Sequence, residues 1–389
     1  KEDRRLVGAY QAASSEIEER PEREAEVRAL ILRFERGDEE AAGLFREAVA
    51  RVMTGIRQTL ERVNVRHDNV KFESEVVLSG AVQKVLERLR KLEAVNDEDG
   101  ALYLDLAQLG VATEKPRMFL MRSDGTTLYG TRDIAYHLDK FSRADRLVNV
   151  LGEDHKLAMV ELTAALRALG EERPLDIVFY NFVSLPEGKM STRAGRVVYL
   201  DDLLDEAVER AYAEVRDRRG GELGEEQMRE VARAVGIGAL RFNLVGVQPE
   251  KAIVFKWEEA LAFDGATAPF VQYSHARSCS ILRKAEIVPG HAPEPEAALL
   301  AHPSEQVLLR RLALLPGLVA DAARQRKAHP LTGYAVEVAG ALNDFYRDCP
   351  VLRAGSSELR AARLALVDAT RQVLANTLDL LGVEAPQTM

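Results

Sequence analysis

Apolar residues recur at helical spacing among many charges over the first 65 positions, a pattern that predicts charged amphipathic helices. Arg36-Gly37-Asp38 breaks it, with Asp38 placed to cap the helix that follows. The period then changes. Residues 70–77 alternate in a β-prone run, residues 80–92 return to a helix, and residues 101–106 and 117–121 read as strands. Asp124-Gly125 marks a turn into Thr127-Leu128-Tyr129, ahead of a helix over 131–141. A strand over 146–151 runs through Gly152-Glu153-Asp154-His155 into a helix ending near Gly170, and residues 177–180 make the next strand.

This β–α–β alternation, with short loops at strand C-termini, predicts an α/β fold with a parallel sheet and a ligand crevice at those ends. After Tyr199 helices dominate from Asp201 to Met389, interrupted by a proline-rich stretch over 289–303. A boundary is expected near Gly265, and no internal repeat or low-complexity segment stands out.

Composition narrows the class. The 389 residues leave room for two or three domains, and 47% apolar with 30% charged residues is a globular balance. No apolar run approaches the roughly 18 residues that span a bilayer, so no membrane association is expected. Two isolated cysteines, Cys279 and Cys349, suit neither a disulfide framework nor a zinc site and point to a reducing cytoplasm. A net charge of −9 argues against indiscriminate nucleic-acid binding. The charge is uneven, however: residues 266–389 carry 13 basic and 12 acidic side chains, a balance of +1, and the remainder carries −10. The C-terminal third can meet a polyanion if its cations share a face.

The stretch with the most chemistry is Pro186-Glu187-Gly188-Lys189-Met190-Ser191-Thr192-Arg193-Ala194-Gly195-Arg196. Such a loop, with an ammonium and a hydroxyl between glycines, suits a triphosphate, and its lysine suits charge developing on departing pyrophosphate. A solvated hairpin with a surface lysine fits the same residues. Tyr129 and Asp133 stand at i and i+4, spacing that puts a phenol and a carboxylate on one helical face. A carboxylate there matches a planar guanidinium, and it serves equally as a helix cap beside a packed tyrosine. Asp154, between a strand and a helix start, suits ribose hydroxyls; a simple N-cap with an exposed His155 is the other possibility. Phe270 and Tyr273, and likewise Asn343 and Tyr346, lie three apart on expected helices, as base-stacking faces or as core residues.

Five segments together resemble arginyl-tRNA synthetases, a class I aminoacyl-tRNA synthetase family. They are Arg122-Ser123-Asp124-Gly125-Thr126-Thr127-Leu128-Tyr129-Gly130-Thr131-Arg132-Asp133-Ile134-Ala135-Tyr136, Leu151-Gly152-Glu153-Asp154-His155-Lys156, and the Lys189 loop, followed by Trp257 to Tyr273 and Leu342 to Leu352. The resemblance implies an arginine–tRNA ligase that uses ATP, with Mg²⁺ accompanying it, and takes arginine and tRNA(Arg) as partners, acting as a cytoplasmic monomer. It implies that Tyr129 and Asp133 hold arginine and that Gly152, Asp154, His155, Lys189 and Met190 bind ATP. Lys189 and Ser191 take the first and third places of the class I lysine-methionine-serine signature, where Thr192 replaces the second lysine and Arg193 follows as a substitute cation. Phe270, Gln272, Tyr273, Asn343, Tyr346 and the terminal Met389 would face tRNA. No metal ligand is read.

The implied organisation is a helical insertion and the tail of a first catalytic half over 1–69. The second half of a Rossmann-like nucleotide-binding domain follows over 70–200, then a helical connecting region over 201–265 and an all-helical anticodon-binding domain over 266–389. The His-Ile-Gly-His motif of class I enzymes is absent from these residues, and none of the seven histidines has a partner at that spacing. With Lys1 in first place, truncation is the expectation. The alternative is a synthetase-like tRNA-binding protein that does not activate arginine.

Overall fold

The computed structural model describes residues 1–20, 22–184, 199–262, 265–292 and 294–389. They form two compact units, Lys1–Gln58 with Arg66–Tyr180, and Thr59–Val65 with Asn181–Met389.

The chain opens with helices α1 (Glu2–Glu19), α2 (Glu22–Glu35) and α3 (Glu39–Arg62). Asp38 caps α3 as expected: its Oδ1 accepts the Ala41 amide at 2.9 Å, a bond that holds its carboxyl below the ordinary range. Helices α4 (Glu73–Leu78) and α5 (Ala81–Leu89) come next. The first of these corrects the β reading of residues 70–77. Glu75 reaches back to accept the Phe72 amide at 3.3 Å and pairs with Lys71 at 2.9 Å, so local capping overrides the strand propensity of Val76 and Val77.

Strands β1 (Val95–Glu98), β2 (Ala101–Asp105) and β3 (Arg117–Met121) build an antiparallel sheet in that order. Asp99 and Gly100, at φ of 52° and 84°, make the two-residue hairpin turn that forces β1 and β2 antiparallel. Helix α6 (Tyr129–Phe141) leads to β4 (Leu147–Gly152), a 3₁₀ turn over Glu153–His155, α7 (Lys156–Ala168) and β5 (Leu175–Tyr180). Because α7 provides a crossover, β4 and β5 pair in parallel, from Leu147 with Leu175 to Gly152 with Tyr180. The expected parallel sheet is thus confined in this unit to two strands, and the strands before it belong to the hairpin sheet. Leu89, Leu104, Leu120, Ile134, Phe141 and Leu162 fill the core between these layers, each worth roughly 1.5–3 kcal/mol of burial.

After Thr59–Val65, the second unit continues with β6 (Val183–Ser184) and the helices α8 (Leu200–Arg219) and α9 (Glu225–Val245). Strand β7 (Ile253–Val254) pairs in parallel with β6, a short strand within the stretch 201–265 where helices otherwise dominate. Helices α10 (Trp257–Ala260), α11 (Ala268–Lys284), α12 (Pro303–Ala313), α13 (Leu315–Gln325), α14 (His329–Asp348) and α15 (Ser357–Leu380) complete the fold. Leu282, Leu308, Leu342, Phe345 and Leu374 are fully buried among α11, α12, α14 and α15. The tail after α15 is tied down by polar contacts. His275 Nδ1 pairs with the Pro386 carbonyl at 2.9 Å, and Arg241 donates to the Leu381 carbonyl at 3.1 Å and to the Val63 carbonyl.

Helices α8 and α9 touch where Gly236 has no side chain: a Cβ there would stand 2.6 Å from the Ala207 carbonyl oxygen and 2.9 Å from the Val208 nitrogen. Gly236→Ala gains about 1 kcal/mol of helix propensity, but backbone cannot step aside as a side chain can, and overpacking costs about 1–3 kcal/mol. A net loss of up to about 2 kcal/mol is expected, seen as a lower urea midpoint. A midpoint that stays or rises would show that α8 yields.

Candidate functional site

The turn before α6 is built to present Tyr129. Asp124 Oδ1 accepts from the Thr126 amide at 2.9 Å and its hydroxyl at 2.6 Å, and Leu128 N donates back to Leu120 O at 3.0 Å. Thr131, fully buried, donates its hydroxyl to Leu120 O at 2.6 Å and pins the first turn of α6 to β3. Tyr129 and Asp133 then line one cavity of about 180 Å³ with Lys71, Phe72, Glu73, Val76, Arg132 and Tyr136.

Tyr129 is 60% exposed. Partial burial of its hydroxyl, then the charge of Asp133, raises its pKa, so the phenol keeps its proton. Among the described residues no lysine or arginine lies within ion-pair distance of Asp133; its Oδ1 is 3.2 Å from His137 Nδ1. Its neighbour Arg132 is satisfied, pairing with Glu73 at 2.9 Å and with Glu35. Of the two carboxylates that line the cavity, Asp133 is the one without a lysine or arginine partner among the described residues, and with the Tyr129 phenol it suits a guanidinium.

Gly152 ends β4 beside Tyr180, and a Cβ on it would meet Asp154 Oδ1 at 2.5 Å. Asp154 and His155 follow on the 3₁₀ turn, with side chains 62% and 41% exposed and Nε2 to Oδ2 at 3.9 Å. His155 stands at the N-cap position of α7 without a side-chain cap hydrogen bond, and its exposed ring is open to either reading. These groups stand at the C-terminal edge of the parallel pair, where nucleotides are commonly held. Lys189, Met190, Ser191 and Arg193 lie outside the described residues.

A second cavity, of about 450 Å³, lies in the other unit and gathers four of the residues singled out in the sequence: Phe270, Tyr273, Asn343 and Met389. Arg277 joins them. Its guanidinium lies 4.7 Å from the Tyr273 ring centre and 5.4 Å from that of Tyr346, and donates to Asn343 Oδ1 at 2.8 Å and to the Tyr273 hydroxyl at 3.1 Å. Both tyrosines remain more than 40% exposed. The signal for Arg277 was its place four residues after Tyr273, which a reading centred on aromatic residues passed over. Arg218 and Arg219 add positive charge, and Arg219 donates to the terminal oxygen of Met389.

Gln272 does not belong with them. It is fully buried, and its amide donates to Ala234 O at 3.0 Å and Glu384 O at 2.8 Å, bonds that tie α11 to α9 and the C-terminal tail. Successive helical positions point about 100° apart, so Gln272 turns inward as Tyr273 turns out. Phe270 is half-buried against the helical core.

Residues 2–257 match the family of class I (R) tRNA synthetase catalytic domains, and residues 271–389 match the DALR anticodon binding domain. The arginine–tRNA ligase of Methanocella arvoryzae is 49% identical over 389 residues, all of this chain and 67% of that protein. That of Methanothrix thermoacetophila is 45% identical over the whole chain and 68% of its own length. The solved arginyl-tRNA synthetase of Thermus thermophilus superposes with a TM-score of 0.83 at 31% identity, covering 97% of this chain and 69% of that one. The Plasmodium falciparum enzyme, 18% identical, shares the fold at a TM-score of 0.77 over 92% of this chain and 61% of its own. The chain thus spans about two thirds of the length of the curated relatives it matches. With both of its halves matched and its full length aligned to these ligases, this chain belongs to the class I arginyl-tRNA synthetase family.

Proposed function

We propose that this protein is an arginine–tRNA ligase that activates arginine with ATP and transfers it to tRNA(Arg), and that it works as a cytoplasmic monomer. The observation that carries the reading is the Asp133 carboxylate, set in a cavity with Tyr129 and without a cationic partner among the described residues. Asp133 receives the guanidinium of arginine in parallel hydrogen bonds, and the Tyr129 oxygen accepts a further N–H. The arginine carboxylate attacks the α-phosphorus of ATP and pyrophosphate leaves; a hydroxyl of the terminal adenosine of tRNA then attacks the carbonyl of the arginyl-adenylate, the acyl–phosphate bond breaks, and AMP leaves as the arginyl ester forms. Gly152, Asp154 and His155 seat the ribose and adenine, with Asp154 accepting from ribose hydroxyls. Lys189 stabilises charge on the departing phosphates, with Met190 and Ser191 in the same signature and Arg193 as a second cation.

Mg²⁺ would accompany ATP in this reading, where it would neutralise phosphate charge. The cytoplasmic setting is supported by two buried free thiols; among the described residues no helix is long and apolar enough to cross a membrane.

Tyr273, Arg277, Asn343 and Tyr346, with Phe270 and Met389 at their side, form the surface for unpaired tRNA bases. An arginine stacked on two aromatic rings both orients their faces and brings charge to the RNA backbone. Arg277→Ala should weaken tRNA binding by about 1–3 kcal/mol, the range for one stacking group. Fluorescence titration at two salt concentrations measures this, and the affinity should fall further as salt rises. An unchanged affinity would remove this surface from the RNA interface. The activity itself is tested by arginine-dependent ATP–pyrophosphate exchange and tRNA charging in the full-length protein. Exchange driven equally by other amino acids would overturn the assignment.

A further inference from the structure

Behind Asp133 lies a polar network that the proposed reaction does not use. His137, one turn further along α6, is 2% exposed, and Asn149 of β4 is 9% exposed. Asn149 Nδ2 stands 2.8 Å from His137 Nε2, and Lys140 Nζ is 2.9 Å from the same nitrogen and 3.1 Å from Asn149 Oδ1. The ammonium of Lys140 has only protons to offer, so Asn149 turns its oxygen toward it and its N–H toward His137. Two donors converge on Nε2, which therefore accepts. The ring proton is left on Nδ1, 2.8 Å from the Asp133 carbonyl oxygen and 3.2 Å from Asp133 Oδ1. Among the described residues none of the buried side-chain atoms without a partner belongs to His137, Lys140 or Asn149; Asn149 Nδ2 also lies 3.6 Å from Met159 Sδ, and Lys140 Nζ lies 4.6 Å from the Tyr136 ring centre.

We infer that His137 is a positioning residue for substrate selection: its Nδ1–H, bonded to the Asp133 carbonyl at 2.8 Å, fixes the main chain of Asp133, and with Oδ1 3.2 Å from the same nitrogen the ring backs the carboxylate and presents its plane to the guanidinium of arginine. The inference rests on the reading of Asp133 as the guanidinium acceptor. A free carboxylate rotates broadly about its last torsion, whereas a bidentate guanidinium contact accepts only a narrow range of planes. A ring tied to the residue's own carbonyl and standing against Oδ1 narrows that freedom before arginine arrives, as an outer partner orients a metal ligand. Asn149 gives the arrangement reach. It lies three positions before Gly152 on β4, so the contact that sets the histidine tautomer also registers α6 against the strand that leads into the turn of Asp154. The amino-acid pocket and the nucleotide edge are thereby held in one frame.

Three substitutions separate this role from simple packing. His137→Leu keeps an apolar filler and loses the donor. His137→Gln keeps an amide near Nε2 and vacates Nδ1, whereas His137→Asn returns an N–H close to the Nδ1 position. Calorimetric titration of the full-length protein with L-arginine, L-citrulline and ATP is the measurement. The leucine and glutamine variants should bind arginine about 10–100-fold more weakly, the range for a hydrogen bond to a charged group. Citrulline and ATP should move less than about threefold, and the asparagine variant should recover most of the arginine affinity. If the leucine variant fails to fold, the contrast between glutamine and asparagine carries the same information. Equal losses for all three ligands, or an asparagine variant no better than glutamine, would reduce His137 to a packing residue. Asp133→Asn runs beside them. If it loses arginine while His137→Leu and His137→Gln do not, the positioning role alone fails; if it binds arginine normally, the reading of Asp133 fails first.

Discussion

Asp133→Asn is expected to lower kcat/KM for arginine by roughly 30- to 4000-fold, equivalent to about 2–5 kcal/mol, the effect of leaving a desolvated guanidinium without its charge partner. Asparagine keeps the volume of the side chain and one acceptor oxygen, so the cavity should retain its shape. What it lacks is the second anionic oxygen and the charge. No neighbour readily replaces them. Tyr129 offers a neutral oxygen that keeps its proton, and Glu73, on the same cavity wall, is already paired with Arg132 at 2.9 Å. The loss should be large for arginine and small for an uncharged analogue, because only the charged ligand gains from the carboxylate. Arginine-dependent ATP–pyrophosphate exchange with each substrate measures the difference. A mutant that activates arginine at the wild-type rate would sink the assignment of this pocket.

The features that sequence made legible are those whose cause is local. Asp38 reads as a cap because its partner, Ala41, is three residues away, and Tyr129 with Asp133 reads as one face because a helix repeats nearly every four residues. The parallel pairing of β4 and β5 follows from the helix between them. The failures have the opposite character. Residues 70–77 carry a β-prone alternation, and the side chain of Glu75, folding back on Phe72, decides for helix. Gln272 sits beside Tyr273 in a run that resembles a tRNA-facing motif, yet its partners are Ala234 and Glu384, 38 and 112 positions away. No spacing rule reaches that far. His137 was silent for the same reason: its decisive partner, Asn149, is on a strand, and its meaning depends on which nitrogen that strand contacts. Arg277 was legible at i+4 from Tyr273, but only the fold brings Asn343 and Tyr346 across from α14 to share it.

Lys189→Ala is the other change expected to have a large effect, and its argument is chemical. When pyrophosphate leaves, negative charge builds on the bridging and terminal oxygens, and a preorganised ammonium there is worth more in the transition state than with bound ATP. Losing one such donor should slow adenylate formation by about 10²–10³-fold in the full-length protein, with little change in tRNA affinity, since the aromatic surface of Tyr273 and Tyr346 lies in the C-terminal helices. Arg193 complicates the reading usefully. The fourth signature place holds Thr192, so Arg193 is the nearest following cation, and its planar fork spreads charge over a wider area than an ammonium does. If it substitutes, Lys189→Ala alone will understate the need for positive charge. Removing both should then cost more than the two single losses combined, the mark of residues that share one task. Strict additivity would instead leave Arg193 with a separate role. Intact adenylate formation in Lys189→Ala together with lost tRNA binding would move the whole segment from ATP chemistry to the RNA interface.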